Sequence, residues 1–264
     1  MTQLRIDAEV VENRAEGGAN HRLRLRVGAD WPASRPGQFV MLSPGAVAAV
    51  PRLDPLLPRP MAIYTAANGE LDVLYKVTGR GTALLADARP GERVGTVGPL
   101  GTGFPEPEPG EDALLVGGGT GIASLYDLAA RAAGRARVAV LLGARSAPDL
   151  MGRDDFAALD VALHVATEDG SEGRRGLVTD LLADALEERP GARVYACGPT
   201  PMMRRAAELA APRSAPCHVS LENRMACGFG ICLGCAVPTS SGFDLVCREG
   251  PVFDAANLTW DGLP

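Results

Sequence analysis

Polar and apolar residues alternate over His21–Val27 (HRLRLRV), the period of a strand with one buried face. Gln38–Leu42 and Leu71–Val77 are similar, and Gly/Pro turns separate these runs. Many short strands at this spacing predict a small antiparallel barrel up to about residue 104. Pro44–Pro58 is Pro-rich and predicts an irregular loop, and Ala83–Ala88 predicts a short helix. Phe104–Glu111 (FPEPEPGE) alternates Pro and Glu, which predicts an extended, solvated linker. The period then changes. Ala113–Val116, Val138–Leu142, Val161–Ala166, Val194–Cys197 and Cys217–Leu221 are buried-type strands with helical stretches between them, the first running to about Ala133. Such alternation predicts a doubly wound parallel sheet with helices on both faces. The expected fold class is thus β plus α/β. A barrel domain is expected over 1–104, an α/β domain over 111–216 and a short C-terminal module over 217–264. No internal repeat is visible.

Composition narrows the function. Apolar residues make up 46% of the 264, enough for a substantial core. The net charge is −6, from 26 basic and 32 acidic residues, which argues against nucleic acid as a main partner. No apolar run approaches the roughly 18 residues that a membrane span needs. The opening segment MTQLRIDAEV is not an apolar signal, so a cytoplasmic, reducing setting is expected and disulfides are not.

Four of the six cysteines then stand out. Cys227, Cys232 and Cys235 read C-x4-C-x2-C, and Cys247 follows after eleven residues. This is the ligand spacing of a plant-type 2Fe–2S cluster. Gly228, Gly230 and Gly234 beside the cysteines allow backbone N–H groups to turn toward sulfur. Zinc is the alternative, but zinc ribbons use two C-x2-C pairs and only one is present here.

Glycine runs mark further candidate sites. Gly117–Gly121 (GGGTG) lies between a strand and a helix, where a phosphate can approach the backbone and the helix start favours its charge. A ligand-free tight turn would also use Gly. Cys197-Gly198-Pro199 follows a later strand, at the edge where ligands bind in such sheets; a buried small hydrophobe is the plain alternative for Cys197. Arg59-Pro60-Met61-Ala62 precedes a strand, and Gly79-Arg80-Gly81-Thr82 opens a short helix. Arg can pair with a phosphate, and the glycine turn can receive one.

Together these motifs resemble the ferredoxin–NADP reductase superfamily. The tail, SLENRMACG over 220–228 and CREGPVF over 247–253, is similar to the electron-transfer subunits of class 1B dihydroorotate dehydrogenases. The resemblance spans about residues 5–255. It implies that Arg59, Pro60, Met61 and Ala62, then Leu74, Tyr75 and Lys76, hold FAD, with Gly81 and Thr82 at its pyrophosphate. It implies that Gly118, Gly119, Thr120 and Gly121, with Cys197, Gly198 and Pro199, hold a nicotinamide dinucleotide. It makes Cys227, Cys232, Cys235 and Cys247 the cluster ligands. Two positions depart from the pattern: Ala62 stands where the family usually has Ser, and Ser124 where the wider superfamily has Pro.

The implied path runs between NADH, FAD, the 2Fe–2S cluster and an external acceptor. A flavin exchanges both hydride and single electrons, which links the other two. Hydride transfer of this kind needs no general base, and no catalytic side chain is expected. His21, His164 and His218 form no local pattern and are expected to be structural. The resemblance implies an FMN-containing catalytic subunit as partner, in a heterotetramer of two of each, serving pyrimidine biosynthesis; neither nucleic acid nor membrane is expected. A free-standing reductase for a ferredoxin or oxygenase ranks second, since the cysteine module is too short for a whole ferredoxin domain. A zinc-stapled nucleotide-binding regulatory module ranks third. Arg145-Ser146 could serve NADP and Glu168-Asp169 would repel its phosphate; the family favours NADH.

Overall fold

The first hundred residues form one antiparallel sheet of seven strands: β1 (Leu4–Gly17), β2 (Asn20–Arg26), β3 (Phe39–Ser43), β4 (Arg59–Ala62), β5 (Thr65–Ala67), β6 (Glu70–Lys76) and β7 (Arg93–Leu100). Their order is β4-β3-β7-β1-β2-β6-β5. In this computed structural model, residues 3–45 and 54–263 are described, so much of the loop expected over 44–58 lies outside the described residues. The sheet curls around Val10, Leu23, Leu25, Val40, Leu42, Leu71 and Val73, all fully buried. Leu23 and Leu25 are the apolar half of the alternation in β2. One helix, α1 (Arg80–Ala86), packs on this half. It starts ahead of the helix expected over 83–88. Thr82 explains this: its Oγ1 accepts the N–H groups of Thr78 at 3.0 Å and Gly79 at 3.1 Å, closing the first turn early.

The second half alternates strand and helix, as its apolar runs require. Strands β8 (Asp112–Gly118), β9 (Arg137–Ala144), β10 (Ala162–Thr167), β11 (Arg174–Arg175), β12 (Arg193–Cys197) and β13 (Cys217–Ser220) are parallel, in the order β11-β10-β9-β8-β12-β13. Helices α2 (Tyr126–Ala132) and α3 (Arg153–Ala157) cover one face, and α4 (Val178–Glu188) and α5 (Thr200–Ala210) the other. Side chains alternate along β8: Leu114 and Val116 join the α4/α5 core, while Ala113 and Leu115 join the α2/α3 core. The helix expected up to Ala133 is split. A 3₁₀ segment covers Gly119–Leu125 before α2 begins, a tightening common at helix starts. The linker is not fully solvated: Phe104 and Pro107 are buried. The Phe104 ring meets Tyr195 edge-on at 5.7 Å, and its N–H donates to Pro36 O at 2.8 Å. Residue identity outweighs the Pro/Glu pattern there, because an apolar ring between two lobes is better buried.

The C-terminal module is stitched into both halves. It holds a hairpin, β14 (Ala236–Thr239) and β15 (Gly242–Leu245), and a last strand, β16 (Val252–Asp254), which runs antiparallel beside β13. Cys235, Val237, Val246 and Phe253 share one core with Met41 and Leu100 of the barrel and with α4 and α5. Thr102 N–H donates to Gly250 O at 2.6 Å. Gly228 lies so close to Met41 that an added Cβ would stand 2.5 Å from Met41 Cγ.

Barrel and sheet meet at a polar seam. Arg22, 7% exposed, pairs with Asp155 of α3 and with Glu16 at 2.7 Å. Tyr64 Oη donates to the same Asp155 carboxylate at 2.7 Å and stacks on Tyr126 with ring centroids 4.4 Å apart. Lys76 Nζ reaches Asp149 Oδ1 at 2.5 Å, which holds that carboxyl below its ordinary range. Removing Asp155 leaves the buried Arg22 with Glu16 as its close countercharge and Tyr64 without its acceptor. Asp155→Ala is therefore expected to cost about 2–4 kcal/mol of stability, with Asp155→Asn losing less because it keeps an acceptor for Tyr64. Denaturant titration of the three proteins checks this.

Candidate functional site

Two cavities open along the seam. The smaller, of about 320 Å³, lies between the barrel mouth and the sheet. Arg59, Pro60, Met61 and Ala62 of β4, Leu74, Tyr75 and Lys76 of β6, and Thr82 line it from the barrel side; Thr120, Ser124, Ser220 and Glu222 close it from the sheet side. Its volume and mostly apolar wall with a few hydroxyls suit a small-molecule ring system. Gly81 is tied to Arg59: a Cβ on Gly81 would stand 2.4 Å from Arg59 Nε, so the guanidinium lies directly over the glycine turn. The Arg59 motif and the Gly79–Thr82 turn thus form one feature. Tyr75 buries its ring in the barrel core, stacked on His21.

The larger cavity, of about 780 Å³, runs over the carboxyl ends of the parallel strands. Gly118, Gly119 and Thr120 line it together with Gly198, Pro199 and Met202. The two loops touch because β8 and β12 are neighbours, with Gly117 opposite Cys197. A Cβ on Gly121 would stand 2.3 Å from Cys197 O, so only Gly permits this packing. Gly119 has φ +56°, and a Cβ there would meet nothing within 4 Å, leaving its backbone open to a ligand. Arg145, Asp149 and Glu168 stand at one end of this cavity. Arg145 Nε lies 4.0 Å from Asp149 Oδ2.

Lys76, Thr78, Thr120 and Glu222 line both cavities, so a ligand in one abuts a ligand in the other. Glu222 is exposed toward them, yet partial desolvation by the surrounding protein raises its carboxyl above the ordinary range, against a hydrogen bond from Thr120 Oγ1 at 3.4 Å. Cys197 is fully buried behind this wall. Its Sγ lies 3.4 Å from both Ser124 Oγ and Ser220 O, and burial pushes the thiol up to about 12.

The cysteine loop packs on the barrel, with Gly228 against Met41 and Leu100, and Asn223 and Met225 just before it line the smaller cavity. Burial acts to raise the Cys227 thiol, but the backbone N–H groups of Cys232, Phe229 and Ile231 outweigh it and lower the thiol to about 6. Gly228 and Gly230 have φ +85° and Leu233 +59°, which turns those amides inward. The thiols contact in pairs, Cys227 with Cys232 and Cys235 with Cys247. Among the described residues no three of Cys, His, Asp and Glu converge on a single ion.

Residues 222–259 match the family described as the iron-sulfur cluster binding domain of dihydroorotate dehydrogenase B. Residues 115–208 match the oxidoreductase NAD-binding domain. The chain is 43% identical over 233 residues to the dihydroorotate dehydrogenase B (NAD(+)) electron transfer subunit of Bacillus caldolyticus, covering 85% of this chain and 86% of that one. The chain belongs to this electron transfer subunit family. The family member from Geobacillus thermodenitrificans is 40% identical over 260 residues, covering 94% of this chain and 96% of its own. Among solved structures, a chain of the NADH-dependent reduced ferredoxin–NADP oxidoreductase, studied for flavin-based electron bifurcation, is 30% identical with TM-score 0.84, covering 97% of this chain and 91% of that one.

The family's groups fit what is present. An inward nest of amides on Cys227 suits a sulfur-rich cluster. The open backbone at Gly119 suits a dinucleotide phosphate. Sequence reasoning missed three residues. Glu222 follows β13 at the carboxyl edge, a position that alone could have flagged it. Asp149 carried no local signal and Ser124 stood out only as a departure from the superfamily's Pro, since their partners Lys76 and Cys197 are distant in sequence. In the metal-free family member, Cys227 is expected to alkylate first with iodoacetamide. Its rate should fall as pH drops through about 6 and the thiolate protonates, while buried Cys247, pushed well above an ordinary thiol, lags throughout. Peptide mapping by mass spectrometry reads both rates.

Proposed function

We propose that this chain passes electrons between NAD(H) and a dihydroorotate-oxidising partner subunit, through FAD in the smaller cavity and a 2Fe–2S cluster on the cysteine loop. The observation that carries this reading is the adjacency of the three sites, with four residues common to both cavities and the cysteine loop packed against the barrel. When bound, FAD supplies the exchange between hydride and single-electron chemistry. Arg59, Gly81 and Thr82 hold the phosphate end of that cavity, and Pro60, Met61, Ala62, Leu74, Tyr75 and Lys76 shape the rest. Gly118, Gly119, Thr120 and Gly121, with Gly198 and Pro199, give the dinucleotide a close backbone seat, and Cys197 supports it from behind. Cys227, Cys232, Cys235 and Cys247 are the cluster ligands.

The partner is taken to be FMN-containing and the assembly to hold two of each subunit, in the cytoplasm. Working boundaries are a flavin domain over 1–104, a nicotinamide domain over 111–216 and a cluster module over 217–264. Among the described residues no helix is long and apolar enough to cross a membrane. NADH is favoured over NADPH because Glu168 and Asp149 share the cavity end with Arg145 and oppose an added phosphate.

Mixing the chain with a dihydroorotate-oxidising FMN subunit and following NAD reduction tests the reading. Dihydroorotate-dependent NADH formation is expected, and Cys232→Ser should abolish it together with most of the bound iron and sulfide. Background rates with the intact, iron-loaded chain would remove the pathway assignment.

A further inference from the structure

Several hydroxyl groups line the smaller cavity, and those of Thr82 and Thr120 already donate within the protein. Thr82 Oγ1 donates to Gly79 O at 2.9 Å within its own turn. Thr120 Oγ1 donates to Glu222. Ser124 differs. It lies in the same 3₁₀ segment as Thr120, lines the smaller cavity and is 5% exposed. The single thiol proton of Cys197 is offered to Ser124 Oγ and to Ser220 O, each at 3.4 Å. Because Cys197 stays protonated up to about pH 12, it remains a donor at neutral pH. Beyond the Cys197 sulfur, a weak acceptor, the proton of Ser124 has no acceptor among the described residues. Buried hydroxyls are normally paired, so an acceptor inside the cavity would complete this one.

We propose that Ser124, oriented by the Cys197 thiol, is a flavin-positioning residue whose hydroxyl donates a hydrogen bond to the ring system held in the smaller cavity. A flavin ring carries nitrogen and oxygen acceptors along its edge, and the cavity's other lining groups near Thr120 leave that proton unclaimed. The inference rests on the flavin reading above. In this arrangement the fully buried Cys197, absent from the wall of either cavity, bears on the smaller cavity through Ser124.

The test compares Ser124→Thr with Ser124→Val in the full chain. The two side chains match in size and differ in one hydroxyl, so packing effects cancel. Two readouts are taken: FAD affinity by fluorescence titration of the flavin-free protein, and the rate of flavin bleaching by NADH in anaerobic stopped flow. The Val variant is expected to fall about tenfold below the Thr variant in at least one, the loss of one hydrogen bond. In FAD affinity, Cys197→Ala should give a smaller loss in the Ser124→Thr protein and no further loss in the Ser124→Val protein, because its thiol is held to orient the flavin through that hydroxyl. Equal behaviour of Thr and Val variants, within about twofold in both readouts, overturns the assignment. So does a Cys197→Ala loss of equal size in both backgrounds. An unmodified chain that takes up no FAD overturns the flavin reading and this one together, whereas a chain that takes up FAD normally can fail the Thr/Val comparison alone.

Discussion

A buried arginine sets the geometry of this protein. Arg22 leaves water on the barrel side and finds its countercharges in Glu16 and Asp155, the latter on the opposite lobe. Taking a guanidinium out of water costs several kcal/mol unless the acceptors are well placed. The barrel and the parallel sheet can therefore meet in only a narrow range of orientations. Tyr64, bound to the same carboxylate and stacked on Tyr126, narrows the range further. The shared wall of Lys76, Thr78, Thr120 and Glu222 follows from that docking, and with it the contact between the two cavities.

The second constraint is close backbone approach. Gly121 rests on the Cys197–Gly198 peptide, and Gly228 rests on Met41. The first packing brings two loops from adjacent strands into one cradle. The second presses the cysteine loop against the barrel. Each needs a residue without a side chain, for sterics and not for flexibility. The cysteine loop adds an electrostatic asymmetry: amides turned toward Cys227 favour its thiolate, while burial and Cys235 oppose the Cys247 thiolate. A cluster assembling there would meet one ligand already charged and one that must lose its proton.

Much of this was legible in the chain because its signals are local. Alternation along β2 and the continuous run of β8 follow from how many faces each strand buries. The cysteine spacing and the glycines of GGGTG needed no tertiary context. Where the reading slipped, a side chain overrode a pattern. Thr82 started α1 early by capping it, and Phe104 pulled a Pro/Glu linker into the core. Asp149 and Asp155 carried no sequence signal, and Ser124 showed only as a missing Pro, since each matters through a partner more than seventy residues away. Arg145 and Glu168 carry opposing charge signals in the sequence, and both line the same cavity.

The central claim is an ordered relay, with the flavin cavity standing between nicotinamide and cluster. Anaerobic NADH titration of two altered chains tests it most directly, one with the cluster removed by Cys232→Ser and one with FAD stripped and the cluster intact. The account predicts that NADH bleaches the flavin of the first and leaves the cluster absorbance of the second unchanged until FAD is restored. Direct reduction of the cluster by NADH in the flavin-free chain would contradict it.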